Sequence, residues 1–444
     1  MLRSTLIFCF LLILCFLAPH QSAQGQGLSI AQLYEQLEQS SLYQQEELRE
    51  RIARENYREL RSDRIPLFYV DANLQRNLII PSTPVPAIAF DPTAPEGAII
   101  PLKFATKWSS KAGIQLEWQL FDPKRRAVEE EQKLNVEQAE IQKLQVAQDW
   151  TRDATLAYAS VVLATEQYEL ALQDSAAYAE ILDLSRIRYE AGRLPLAEYV
   201  AAQQELERKR IQLHEAWAVL LEADQELRLY VDLVSSQSLS TDIAGIIAFL
   251  EPRGQANRGQ VNRGQVNYTL QSLAVDQRIN ALQQAAVRRQ LWPSLSFNGY
   301  LGEQYFSNSL RLGQRDQWFG NSFVNLALRW PLSAYFTAGP TLRKLSFTAE
   351  LQARQIQQEE LSESVQQAQN LARVAAARSK LSSLERIEIL AAELREERQA
   401  GFLAGRVLLS DYNEALSAWI GSRQDVWQGQ YELIQRLVES TIGI

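Results

Sequence analysis

Residues 124–190 contain neither proline nor glycine, and the same holds for residues 342–400. Through the first run Leu134, Ile141, Leu144, Tyr158, Val162 and Leu172 recur at helical spacings among many alanines. A continuous helix of about 65 residues, at ~1.5 Å per residue, is about 100 Å long. That is far beyond a globular helix, so two such runs demand an extended helical architecture. The apolar stripes are narrow and alanine-rich, as in coiled-coil packing between close neighbours, and the helices are too polar to enter lipid.

Each run ends at an echo of the other. Ala-Gly-Arg-Leu-Pro-Leu-Ala-Glu-Tyr begins at Ala191 and Ala-Gly-Arg-Val-Leu-Leu-Ser-Asp-Tyr at Ala404, 213 positions later (404 − 191). Glycine followed by a new helix start, with an acid in its first turn, reads as a tight reversal between two helices. The echo at half the chain length marks an internal duplication.

The rest of the chain duplicates around these tips. Helical periodicity over residues 28–64 stops at Pro66, and the period then switches from 3.6 to 2. Phe68, Val70, Ala72 and Leu74 alternate with Tyr69, Asp71, Asn73 and Gln75. A loop over residues 81–101 follows, rich in proline and nearly free of charge. Ile114, Leu116, Trp118 and Leu120 then alternate with Gln115, Glu117 and Gln119. In the second half a helix over residues 268–291 ends at Pro293. Leu295, Phe297 and Leu301 then alternate with Ser296, Asn298 and Tyr300, and Val324, Leu326, Leu328 and Trp330 with Asn325, Ala327 and Arg329. The expected organisation is a signal peptide at 1–25, a first repeat at 26–235 (hairpin about 66–121, tip about 191–199), a linker or equatorial region at 236–267, and a second repeat at 268–440 (hairpin about 293–332, tip about 400–412). Within the linker Arg-Gly-Gln-Ala-Asn at Arg253 recurs as Arg-Gly-Gln-Val-Asn at Arg258 and Arg263. A connector between half-chains is the plain reading; an RNA-binding Arg-Gly tract lacks the aromatics.

The apolar run at 6–17, preceded by Arg3 and followed by Ala23-Gln24-Gly25, reads as a secretory signal and is too short to span a bilayer. Cys15 follows Leu14, where a lipoprotein signal needs a small residue. Cleavage removes Cys9, Cys15, the one methionine and His20, leaving His214 as the last histidine. A Cys nucleophile, a Cys/His metal site and an ordinary Ser-His-Asp triad are thereby excluded, so no enzyme, metal or cofactor is expected. His214 sits in a polar helical stretch and reads as a solvated residue. A net charge of −8 argues against nucleic acid as a partner.

Each hairpin has one apolar and one polar face. A soluble core could cover the apolar faces, but three features point to the membrane. The strands, at about 9–11 residues, have membrane-barrel length. Asp71, Glu117 and Arg329 on the polar faces suit a wet lumen. Trp108 and Trp118 bracket the second strand, and Trp318 and Trp330 the fourth, as aromatic girdles do. Four strands are too few for a barrel, whose smallest bacterial form has eight, and open edges are excluded from lipid. The barrel is therefore shared among several copies, with the long helices projecting into the periplasm as a tube or bundle.

The whole mature chain resembles the TolC family of outer-membrane channel-tunnels. The most specific stretch is Gln399-Ala-Gly-Phe-Leu-Ala-Gly-Arg-Val-Leu-Leu-Ser-Asp-Tyr-Asn-Glu414, similar to the family's second tip with Gly401, aromatic Phe402, Gly405, and an acid pair at Asp411 and Glu414. The resemblance implies a mixed α and β membrane protein: a homotrimer with a shared twelve-stranded β-barrel in outer-membrane lipid and a periplasmic α-helical coiled-coil tunnel. It implies docking to a periplasmic adaptor and an inner-membrane ABC or RND pump, with Gly192, Arg193, Glu198, Gly401, Phe402, Gly405 and Arg406 as candidate contacts. It also makes Asp411 and Glu414 a candidate ring around the periplasmic constriction; without it, both acids read as stabilisers of a helix N-terminus. Where some members latch the closed tip with a tyrosine and an arginine, this chain has Phe402 and Val407, which points to Arg193 or Arg406 as substitute cations. The competing reading is a structural periplasmic coiled-coil protein without a pore, which leaves the paired tryptophans unexplained.

Overall fold

The computed structural model describes residues 27–231, 239–251 and 266–442. The signal peptide and the Arg-Gly-Gln repeats lie outside the described residues. In chain order the elements are α1 (Ile30–Glu35), α2 (Ser41–Ser62), β1 (Leu67–Arg76), β2 (Thr83–Pro86), β3 (Ile99–Leu102), β4 (Trp108–Phe121), α3 (Arg125–Glu190), α4 (Leu196–Leu227), α5 (Ile243–Leu250), α6 (Tyr268–Arg289), β5 (Ser294–Ser307), β6 (Trp318–Arg329), α7 (Ala334–Leu403) and α8 (Leu409–Thr441). Helix, hairpin, long helix, reversal and helix thus occur twice, and the long helices have 66 and 70 residues.

Four details depart from the sequence expectation. The first helix is broken: α1 ends at Glu35, a 3-10 turn covers Leu37–Gln39, and the Ser40 hydroxyl accepts the Tyr43 amide at 3.2 Å as α2 begins. The proline-rich loop contains a small hairpin, β2 against β3, in which Pro84 faces Pro101. Proline is tolerated there because a two-stranded ribbon is all edge. Helix α7 starts at Ala334 and runs through Pro340. A proline so near the start removes one intrahelical bond, to the carbonyl four residues back, and the rest of the helix carries it. The fourth departure is α5, inside the region read as linker. Its sequence, Ile-Ala-Gly-Ile-Ile-Ala-Phe-Leu, is too apolar for a solvated connector, and Asp242 caps it by accepting the Gly245 amide at 2.9 Å.

The chain divides into two compact units: one comprises residues up to Leu48, Ile141–Leu270 and Gln358 onward, the other Arg49–Glu140 and Gln271–Gln357. In the first, Ile243, Ile246 and Leu250 of α5 are buried with Tyr158 of α3, Leu227 of α4, and Ile434 and Leu437 of α8. Each such aliphatic side chain contributes about 1.5–3 kcal/mol on burial. The Tyr158 hydroxyl donates to the Leu28 carbonyl at 2.7 Å and accepts the Thr241 amide at 3.1 Å, pinning two chain segments to the helix.

The second unit holds an antiparallel sheet in the order β1-β4-β5-β6. Phe68 faces Leu116, which faces Gly299, which faces Val324. Val70, Ile114 and Leu301 form the next row, and Trp118, Phe297 and Leu326 another. Directly opposed residues share a face, so the apolar faces of the two hairpins merge into one. It is exposed: Val70 is 77%, Val324 73% and Leu301 68% accessible. The strands, with 10, 14, 14 and 12 residues, are mostly longer than expected.

All four tryptophans lie on that apolar face by register. Trp108 pairs with Arg76 and Ser307, and Trp318 with Tyr305, at one end of the sheet. Trp118 and Trp330 lie at the other. Trp118 Nε1 donates to the Arg64 carbonyl at 3.0 Å and Trp330 Nε1 to the Leu291 carbonyl at 3.1 Å, in each case two residues before the proline that ends the helix. The opposite face is polar at Tyr69, Gln115 and Glu117, where the Tyr69 hydroxyl donates to Glu117 Oε1 at 2.6 Å. It also carries an unexpected aromatic patch, with Tyr300 stacked on Phe323 and Phe306 against Phe319.

The register assigns each substitution a face. Leu116→Arg and Leu326→Arg, on the apolar face, are expected to cost about 2–4 kcal/mol each at mid-bilayer and to abolish recovery of folded protein from detergent-extracted outer membranes. Gln115→Arg, one residue along, is expected to be tolerated. Equal behaviour of the two classes would reverse the assignment of faces.

Candidate functional site: the paired tips

The two reversals are built alike. Gly192 and Gly405 have φ of 69° and 72°, and an added Cβ would meet nothing within 4 Å at either. Backbone conformation, not space, requires glycine there. The Gly192 amide donates to the Tyr189 carbonyl at 2.9 Å and the Arg193 amide to the Arg188 carbonyl at 2.8 Å. The Gly405 amide likewise donates to Phe402 at 3.0 Å and the Arg406 amide to Gly401 at 2.9 Å. Both are Schellman caps, with paired six-to-one and five-to-two bonds. The next helices begin without a side-chain cap, at Pro195 and at Leu408, and each carries one acid in its first turn, Glu198 and Asp411.

An aromatic pair clamps each turn. Tyr189 stacks on Tyr199 with centroids 5.2 Å apart, and Phe402 on Tyr412 at 5.9 Å. Both pairs obey the 213-residue offset (402 − 189 and 412 − 199), so the clamp belongs to the duplicated unit. Phe402 is 2% exposed, in a cluster with Tyr178, Ala202, Leu206, Leu409 and Leu416. Proposed as a docking contact, it instead supports the tip from within, while Arg193 and Arg406 are exposed. Burial pushes the Tyr178 and Tyr412 hydroxyls up from their ordinary value, so both remain protonated.

The cation that joins the tips is Arg188, and sequence reasoning missed it. Its Nη2 donates to the Phe402 and Leu403 carbonyls, both at 3.1 Å, and its guanidinium lies 4.8 Å from the Phe402 ring centroid. It thereby neutralises the carbonyl end of α7. The duplicate of Arg188 is Gly401 (188 + 213), where a Cβ would collide with Val407. Val407 folds over the helix in the space an arginine would need. A positive charge in the last turn of α3 was visible in the sequence, but it reads there as a cap for its own helix.

Asp411 and Glu414, three positions apart on α8, are both exposed. The Ser410 hydroxyl donates to Asp411 Oδ1 at 3.2 Å. Both carboxylates are thus open to solvent, and Asp411 also occupies a favourable place near the helix N-terminus. The first tip has one acid where the second has two: the duplicate of Glu414 is Ala201.

Among the described residues no helix is long and apolar enough to cross a membrane. Residues 33–231 match the family described as Outer membrane efflux protein. The fold is that of the outer-membrane channel OprN, with a TM-score of 0.69 at 16% identity over 93% of this chain and 89% of that one. The Campylobacter jejuni CmeC outer membrane channel gives 0.72 at 14% identity, over 93% and 85%. VceC, an outer membrane protein of Vibrio cholerae, gives 0.67 at 13%, over 93% and 96%. No curated protein is significantly similar in sequence. The family match thus lies in the first half of the chain, and the fold shared with these outer-membrane channels, that of a channel-tunnel, is carried through both halves.

Proposed function

We propose that the chain is the outer-membrane exit duct of a tripartite efflux or type I secretion system. Three copies close a twelve-stranded barrel, and their long helices form a periplasmic tunnel. The tips meet a periplasmic adaptor, and an inner-membrane ABC or RND pump supplies the energy; the duct itself is a passive, non-enzymatic conduit. The observation that carries this reading is the sheet with two unpaired edges, β1 and β6, and an exposed apolar face ending in tryptophans on both sides. In lipid each unpaired backbone group costs several kcal/mol, so the edges must be joined across copies. A pore-less periplasmic coiled coil would not need such a face. Conductance steps from the purified protein in planar bilayers support the duct; a detergent-soluble protein that never conducts would contradict it.

In a trimer Asp411 and Glu414 place six carboxylates around the tip opening, a ring that attracts cations and binds multivalent ones. Replacing both by alanine is expected to lower cation selectivity and to abolish block by a trivalent metal complex, with little change in melting temperature. If the acids serve α8 alone, stability falls by about 0.3–1 kcal/mol per acid while the reversal potential stays put. At the tip surface, Gly405→Val places a β-branched residue at positive φ, at a cost of about 1–3 kcal/mol. Export of a pump substrate is expected to fail while trimers still form. Normal export in that variant would argue against the tip as the docking surface.

A further inference from the structure

Behind the two candidate pore carboxylates runs a line of buried polar contacts. Tyr178 of α3 is 1% exposed, and its hydroxyl donates to Asn413 Oδ1. Asn413 lies between Asp411 and Glu414 on α8. Helix α8 has no side-chain N-cap. Among the described residues, no other side-chain hydrogen bond joins residues 409–416 to another helix. One turn earlier on α3, Asp174 pairs with Lys209 of α4 at 3.0 Å, with Lys209 just 4% exposed. Glu205 of α4 lies 4.0 Å from the same ammonium, and apolar side chains including Leu206, Leu409 and Leu416 are buried beside them. A buried pair of this kind adds little net stability over apolar packing, whereas fixing one setting of packed elements is its best attested use.

The duplication supplies an internal control. At the 213-residue offset Tyr178 corresponds to Ala391, Asn413 to Val200 and Glu414 to Ala201. The hydrogen-bonded tie and the acid pair occur on the same helix, and both are missing from its duplicate. The aromatic clamp, by contrast, is kept in both tips. A tie needed for folding a tip would be expected in each; this one accompanies the carboxylates.

We propose that Tyr178 is a positioning residue for ion selectivity, acting through Asn413 to fix the rotation of the first two turns of α8 so that Asp411 and Glu414 turn together into the conduction path. The inference rests on reading those acids as a pore ring. Tyr178→Phe keeps the ring and removes the donor. In planar bilayers it is expected to lower the cation-to-anion permeability ratio about fivefold, the equilibrium factor of one buried hydrogen bond, with trimers still assembled. In the Asp411→Ala, Glu414→Ala background the same substitution is expected to change nothing further. If that double variant leaves the ratio at its native value, the pore-ring reading fails, and the inference with it. If the double variant lowers the ratio and Tyr178→Phe does not, or if Tyr178→Phe lowers it equally in both backgrounds, the positioning role alone is overturned. Asn413→Ser, which withdraws the acceptor from a half-buried position, carries the same comparison should Tyr178→Phe fail to assemble.

Discussion

The backbone of β1 and β6 sets the terms for everything else. Each is a sheet edge, and each offers a row of outward N–H and C=O groups that no further strand pairs among the described residues. In water such an edge is solvated; beside an apolar face such as that formed by Phe68, Val70, Val324 and Leu326, it has no water to turn to. The sheet is therefore incomplete alone, and a ring of copies is the arrangement that pairs both edges without leaving new ones. The other features follow: strands long enough for a tilted barrel, tryptophans in two rows, and helices that keep their polar faces because they never enter the bilayer.

Duplication then accounts for the shape of the tips, and divergence for their chemistry. The Schellman turns and the aromatic clamps repeat at a fixed offset, so the reversal is the inherited part. Arg188 against Gly401, Asn413 against Val200 and Glu414 against Ala201 are the places where the halves have separated. Arg188 reaches across to the carbonyl end of α7, and Gly401 leaves room for Val407. Two hairpins alike in backbone thus differ in side chains, the first supplying Arg188 and the second the acid pair Asp411 and Glu414.

Much of the architecture was legible in the sequence because it is periodic. Residues Phe68 to Leu74 and Ile114 to Leu120 announce their faces by strict alternation, and the register confirms that these faces coincide. The positive φ of Gly192 and Gly405 followed from glycine ahead of a new helix start. What escaped had no period or depended on a partner far along the chain. The β2–β3 ribbon is too short and too rich in proline to alternate visibly, and α5 spans just two turns. Arg188, Tyr178 and Lys209 look like ordinary residues of a long helix, because their partners lie 214, 235 and 35 positions away (402 − 188, 413 − 178, 209 − 174).

Closure of the barrel between copies can be tested on the edges themselves. Both native cysteines lie within residues 1–25, so the remainder offers a thiol-free background. Within one chain β1 and β6 are three strand spacings apart, about 14 Å at ~4.8 Å each, well beyond the ~4.4–6.8 Å between Cα atoms that a disulfide allows. One cysteine on β1, at Val70, Ala72 or Leu74, is combined with one on β6, at Ser322, Val324 or Leu326. In folded protein extracted from outer membranes, oxidation of at least one combination should give covalent dimers and trimers and nothing larger. Failure of every combination to cross-link, or a ladder that continues past three, would contradict a barrel closed by three copies.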